Sequence, residues 1–276
     1  MRRVRALPLC SAIGVSNFSL QWAEPRGCSA PPLKLALAGS DEGSLVDVVG
    51  VDGCVGGWIA ASRDPQGAVS CRRVESLAGL FDDSTYPRVV AVDVPIGLLA
   101  RGARRCDEEA RRLLGVRRSS VFPAPIRPVL TATSQPDASR IRRRVEGKGV
   151  SIQTWAIMPK IVEVDRFLRA DAQRRKVVRE VHPEVSFFFL NGQRPMSTPK
   201  RKPDGRADRL SVLRSWCGET VVDALAQRRE LHCKADDIVD ALVALWSAER
   251  IACGAAISIP AEPTLDMYGL RMEMMA

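Results

Sequence analysis

Histidine is almost missing from this chain: His182 and His232 are the only two in 276 residues. A histidine-rich metal site is therefore excluded. The eight cysteines, at 10, 28, 54, 71, 106, 217, 233 and 253, include no Cys-x-x-Cys pair and no Cys/His group at zinc spacing. Their spacing is not that of a disulfide framework, so reduced thiols and a cytoplasmic location are expected. Any metal would have to be held mostly by carboxylates, which favours Mg²⁺ or Mn²⁺.

Aromatic residues make up only 5% of the chain, and no aromatic stacking motif of the RNA-binding kind is present. No apolar run reaches the length of a membrane span, so no membrane partner is expected. The first residues are basic, as in a signal peptide, but Pro8, Ser11, Gly14, Ser16 and Asn17 break the apolar part and argue against export.

What is present is ordinary globular material. Hydrophobic residues are 46% and charged residues 26%, enough for a sizeable core, and 41 Lys+Arg against 32 Asp+Glu give a net charge of +9. That modest excess permits a polyanionic partner without requiring one. Residues 1–46 have no sustained periodicity and collect Pro, Gly and Ser, so a disordered extension is expected there, or a translation start near Val46 that omits it.

From residue 47 the pattern sharpens. VVGVD, GWIAASRD and AVSCRRV predict an antiparallel meander with DPQG as a turn. ESLAGLF predicts a short helix, and RVVAVDVPIG a strand buried on both faces and ended by Pro95. CDEEARRLLG is a signed helix stopping at Gly115, RRSSVFPAPIRP a proline loop, and PDASRIRRRVEGKG a basic helix capped near Asp137. QTWAIMPKIVEVDRFLRAD predicts a helix started or kinked at Pro159, and VVREVHPEVSFFFLNG one strand or two split at Pro183. Helices are expected over ADRLSVLRSWCGE, ETVVDALAQRR and KADDIVDALVALWSAERIACG, with AISIPAEP and GLRMEM closing a sheet edge. Three antiparallel strands, then parallel strands with helical crossovers, is the order of an α/β, ribonuclease-H-like five-stranded mixed sheet. The stretch from about 101 to 176 is too long for one crossover and predicts a helical insertion.

In that order Asp52, ending the first strand, and Asp93, inside the fourth, lie side by side at the sheet centre. Two such acids repel and lose hydration, so a cation is the natural compensation. Gly53, Gly56 and Gly57 would admit a ligand and a tight reversal. Asp237 and Asp240, three apart, share a helix face with the small residues Ala241, Ala244 and Ala248, and that face would bring both acids toward Asp52. Asp236, off the stripe, is expected to help cap the helix. Glu184 is a further acid in an apolar strand. Acids converging on one sheet end suit two divalent cations and phosphodiester hydrolysis.

The competing readings are plainer. A strand can end in Asp for its turn, paired acids at a helix start are usually caps, Glu184 could simply pair with an arginine, and His182 reads as a structural histidine at a strand end. Lys200–Arg201–Lys202 sits in a PKRKPDGR loop whose expected state is solvated. Ser119 and Ser120 could line the site, or the proline loop could instead pack Phe122 into the core.

Six stretches together, GVDGCVGGW, AVDVPIGL, RRCDEEARRLLGVRRSSVFPAP, MPKIVEVD, EVHPEVSF and ADDIVDAL, resemble the predicted RNase H-like nucleases grouped as domain of unknown function 429. The resemblance runs from about Val48 to Met272. It implies a nuclease with Asp52, Asp93, Glu184 and Asp237 as site acids, and Lys160 and Glu163 as substrate or supporting residues. The last helix also resembles the closing helix of Holliday-junction resolvases, where acids three apart hold metal; here these are Asp237 and Asp240. Arg118, Ser119 and Ser120, with Lys160, are the expected substrate contacts. A metal-dependent nuclease acting on nucleic acid is the leading expectation. A non-catalytic binding module of the same fold and an ATP-using phosphotransferase are the alternatives, the last needing a second domain.

Overall fold

The computed structural model describes residues 48–81 and 86–276, all within one unit spanning Asp41–Ala276; the expected extension over 1–46 lies outside the described residues. Its centre is a sheet of β1 (Val48–Cys54), β2 (Gly57–Arg63), β3 (Val69–Val74), β4 (Val89–Val92) and β5 (Val178–Glu180). The strand order is β3-β2-β1-β4-β5, antiparallel among the first three and parallel from β1 through β4 to β5. This is a ribonuclease-H-like mixed sheet. Cys54 pairs with Gly57, leaving Val55–Gly56 as a two-residue hairpin turn whose Gly56 takes φ +69°.

Between β4 and β5 come α1 (Arg105–Leu114), α2 (Gln135–Glu146), α3 (Ile152–Ala156), α4 (Met158–Ala170) and α5 (Arg174–Val177). The proline-rich stretch is not plain loop: Gly115–Ser120 and Arg127–Thr131 form 3-10 turns, whose short i→i+3 bonds fit between the prolines. Phe122 does not enter the core; it is 48% exposed, and its neighbour Val121 is buried instead.

After β5 the chain differs from expectation. Residues 183–190 form a helix, α6 (Pro183–Leu190), not a strand. The aromatic run Phe187-Phe188-Phe189 imitates a buried strand, but His182-Pro183-Glu184 is a helix start: a cap, a proline where the missing N–H costs nothing, and an acid in the first turn. Next come α7 (Pro203–Cys217), α8 (Thr220–Ala226) and α9 (Ala235–Ala252). The tail does not close the main sheet. β6 (Ser258–Leu265) and β7 (Arg271–Met275) pair into a separate two-stranded ribbon.

Strand alternation sorts the core into two faces. Val49, Val51, Trp58, Ala60, Val90 and Val92 pack with Ile161, Val164 and Leu168 of α4. On the other face Ile59 and Ala61 meet Ala241, Leu242 and Leu245 of α9, while Val89 and Ala91 meet Ala244 and Ala248. Gly50 lets this happen. A Cβ on it would fall 2.0 Å from the Leu245 nitrogen and 2.4 Å from the Ala241 oxygen, so only glycine allows helix and strand backbones to touch.

Candidate functional site

Asp52 follows Gly50 by two residues and therefore points to the α9 face. It does not end β1, which runs on to Cys54; still paired with Ile59 of β2, it lies just past the last parallel pair, Val51 with Val92. Asp93 is the residue after that pair. It lies one position beyond β4, not inside it, and shares the face of Ala91, which packs on α9. The parallel register thus brings both aspartates to one face and one sheet end. Asp52 is buried, and Asp93 keeps part of its surface open.

α9 contributes its first turns. Ala241 touches Gly50, so Asp240, one residue earlier, lies toward Asp52; it is 4% exposed. Asp237 also caps the helix, its carboxylate accepting a hydrogen bond from Lys234 N at 2.9 Å. The expected capping residue, Asp236, instead pairs with Arg206 at 3.4 Å. The acid at the third helical position reaches back to the cap nitrogen, and Asp236, one place earlier, is half-buried against Arg206.

The acids act on one another through burial and charge. Burial, then the charges of Asp240, Asp93 and Asp237, hold the Asp52 carboxyl well above the usual range, with Lys200 pulling the other way. Burial pushes Asp93 up to about 6 and Asp240 up to about 6, each against Lys200. Asp237 is raised by burial despite its cap bond.

Lys200 is the residue that sequence reasoning misplaced. Its Nζ lies 2.5 Å from Asp240 Oδ2, although the side chain keeps 41% of its surface exposed. Burial opposes its charge, but Asp240, Asp93 and Asp52 together hold the ammonium well above the ordinary lysine range. Buried carboxylates draw in a counter-charge, a long-range effect that a Pro- and Lys-rich loop does not advertise. Arg201 and Lys202 on the same loop remain exposed.

The other expected residues divide into a rim and an opposite face. Glu184 is buried in the first turn of α6, where Arg209 binds Oε1 and Arg117 approaches Oε2 at 3.5 Å. His182 caps the same helix: Nδ1 accepts from Glu184 N at 3.2 Å, and Nε2 lies 3.3 Å from the Ser120 carbonyl. Burial lowers its pKa. Ser120 Oγ accepts from Arg117 at 3.3 Å, while Arg118 and Ser119 are exposed on the same 3-10 turn. Lys160 and Glu163 belong to α4, across the sheet. Lys160 donates to Gly57 O at 2.6 Å and sits 4.1 Å above the Trp58 ring; Glu163 accepts from Trp58 Nε1 at 2.9 Å and Leu77 N at 2.7 Å. These contacts tie α4 to the β1–β2 hairpin. Gly53 faces only the Lys160 side chain, at 3.6 Å.

A second group went unnoticed in the sequence. Cys106, Asp107 and Glu180 place one ligand atom each within 4.8 Å of one another, a spacing that could hold a metal ion, and they are the one such group among the described residues. Arg104 stands among them, 2.5 Å from Asp107 Oδ1 and 2.7 Å from Glu180 Oε2, with all three charged side chains almost wholly buried. Ile96 N and Ala124 N donate to the same two carboxylates, at 2.6 and 2.9 Å. Burial keeps the Cys106 thiol protonated, well above the usual range. A cation here would compete with a guanidinium already bound to both carboxylates. The acids at Asp52 are all carboxylates, the donor type a hard divalent cation takes, but among the described residues no three of them bring ligand atoms within 4.8 Å of one another. The ordinary spacing of Arg104 and Asp107 on α1 gave no hint of Glu180, 76 residues away from Arg104.

Fold and site define an α/β protein with a ribonuclease-H-like sheet and, on its two central strands, Asp52 within β1 and Asp93 just beyond β4. The family model described as protein of unknown function (DUF429) matches residues 50–265, and the chain belongs to that family. No curated protein and no solved structure matches it. No helix among the described residues is long and apolar enough to cross a membrane.

Proposed function

We propose that this protein is a divalent-metal-dependent nuclease that hydrolyses phosphodiester bonds at the acids Asp52, Asp93 and Asp240. One observation carries the reading. Adjoining registers of two parallel strands put Asp52 and Asp93 on one face, and a helix in backbone contact with that face adds Asp240. Burying acids this way is unfavourable for stability and has a clear use in holding Mg²⁺ or Mn²⁺. Asp52 and Asp93 would hold the ion, with Asp237 and Asp240 beside them. When bound, the ion would supply charge to phosphoryl oxygens and make a water easier to deprotonate. The chain's own contribution is to orient these acids and to offer exposed cations, Arg118, Arg201 and Lys202, to a nucleic-acid backbone. Glu184 would act through Arg117 and Arg209, which frame the rim.

The Lys200–Asp240 pair favours one alternative, a non-catalytic binding module in which the ammonium replaces the metal. Incubation with Mn²⁺ or Mg²⁺ and labelled single-stranded, duplex, RNA–DNA hybrid and four-way-junction substrates separates the two. Cleavage by the parent and its loss in Asp52→Asn is the expected result. No cleavage of any substrate by folded protein would move the assignment to the binding module.

A further inference from the structure

We propose that the cavity between β5 and β7 binds phosphate, as the free ion or as a small phosphate monoester, at a site separate from the aspartates. The inference stands apart from the nuclease reading, because it uses none of the acids on which that reading depends.

β5 is the last strand of the sheet, and β7 flanks its open edge while pairing with β6 instead. Between them lies a cavity of about 170 Å³. That is well above the roughly 10–15 Å³ a single water requires and below the roughly 300 Å³ at which drug-sized ligand sites begin. Its size suits a small ion or ester. Ile96, Leu168, Val178 and Leu270 form an apolar floor and belong to the core under α4, whereas Asp52 and Asp93 face α9.

The polar wall sets Arg175, Lys176, Arg179 and Arg271 against two carboxylates. One of these, Glu180, is already bound by Arg104. The other, Glu273, is 3% exposed and stands 3.8 Å from Arg179 Nε and 3.9 Å from Arg271 Nη1, beyond hydrogen-bond reach; its Oε1 has no hydrogen-bond partner. Both guanidiniums therefore feel its charge without spending donors on it. Arg175 is a fixed charge. It donates to the carbonyls of Leu168, Arg169 and Tyr268 at 2.9, 3.0 and 3.1 Å, and among the described residues no carboxylate pairs with it. Gly269, at φ +74°, brings the next turn against it; a Cβ there would lie 3.6 Å from Arg175 Nη1. Burial lowers the Arg179 pKa, Glu273 opposes the fall, and the like charge of Arg271 adds to it. Cations crowded in this way call for an anion of more than single charge. A phosphate dianion supplies that charge and several acceptor oxygens, which the forked donors of arginine meet in pairs; a carboxylate has one charge and two oxygens.

The test is calorimetric titration of the full chain, in metal-free and phosphate-free chloride buffer, with inorganic phosphate, adenosine 5′-monophosphate, adenosine and acetate. The proteins are the parent, Lys176→Gln, Arg271→Gln, the double variant, and Arg229→Gln as an exposed cation elsewhere. Lys176 and Arg271 are themselves exposed, so their replacement should leave the fold intact, which circular dichroism checks. The parent is expected to bind one phosphate group per chain, the double variant to bind it at least about tenfold more weakly, and Arg229→Gln to match the parent. Tighter binding of inorganic phosphate identifies the free ion as the ligand, and tighter binding of the nucleotide identifies the ester. No phosphate binding by folded parent, undiminished affinity in the double variant, an equal loss in Arg229→Gln, or acetate or adenosine bound as strongly as the phosphates would each overturn the proposal.

Discussion

The backbone nitrogen of Asp93 donates to the carbonyl of Val51 at 3.0 Å, carrying the parallel ladder one residue past the end of β4. That bond fixes Asp93 directly beside Asp52. The backbone cannot part the two without breaking the sheet, so repulsion between the two carboxyls is relieved by protonation or by a neighbouring cation such as the Lys200 ammonium.

Relief of that repulsion is measurable without any substrate. In EDTA at neutral pH, Asp52→Asn is expected to stabilise the protein by about 1 kcal/mol or more, raising Tm by roughly 2–4 °C or more. Mn²⁺ should raise the Tm of the parent and leave the variant unmoved. Equal Mn²⁺ shifts in both proteins would place the ion elsewhere.

The pH dependence has a definite sign. The Asp93 pKa, raised to about 6 from about 3.8 for an ordinary aspartate, makes its protonated form the favoured one in the fold. The stabilising contribution is complete below about 3.8 and is lost as pH rises through about 6. Metal-free parent should therefore lose about 1–2 kcal/mol relative to Asp93→Asn between pH 4 and 7, the figure being reduced for the solvent access Asp93 retains. Parallel stability curves from denaturant titration would count against it.

His182 has the opposite sign. Burial depresses its pKa, so the neutral ring stabilises the fold above about 6.5 and that contribution disappears as pH falls. His182→Asn keeps a helix-capping side chain but cannot titrate. Equilibrium unfolding from pH 7 to 5 should show a steeper loss in the parent than in the variant; the same slope in both would refute the assignment.

Two glycines near the site should respond differently. Gly50→Ala puts a methyl group into the backbone of α9 and is expected to cost about 3 kcal/mol or more, or to push the helix away. Gly53→Ala meets only the flexible Lys160 side chain at 3.6 Å and should cost under about 1 kcal/mol. Chemical denaturation of the two variants checks this, and comparable losses would contradict the close approach at Gly50.

Much of this was readable in advance because it is local. Alternating apolar residues around Asp52, the continuous run before Asp93 and the stripe of Ala241, Ala244 and Ala248 are properties of neighbours in sequence, and they give strand order and helix face. Gly53, Gly56 and Gly57 drew attention because they cluster behind Asp52, yet Gly50 holds the tight helix contact. Lys200 and Arg104 escaped notice because what defines them is distant: a partner 40 residues away for one and 76 for the other. The strand expected around Glu184 failed for a different reason. Three phenylalanines carry strand propensity, and a histidine cap with Pro183 outweighed it.

With no side chain standing between β1 and α9 at Gly50, the gap from Asp52 to Asp240 is set by touching backbones, and only the torsions of two short side chains remain to adjust it. Were a cation held there, such a gauge would discriminate by radius. Mg²⁺ binds oxygen at about 2.0–2.1 Å and Ca²⁺ at about 2.3–2.6 Å, and Ca²⁺ also wants more ligands. A cleft that cannot widen would favour the smaller ion through rigidity alone.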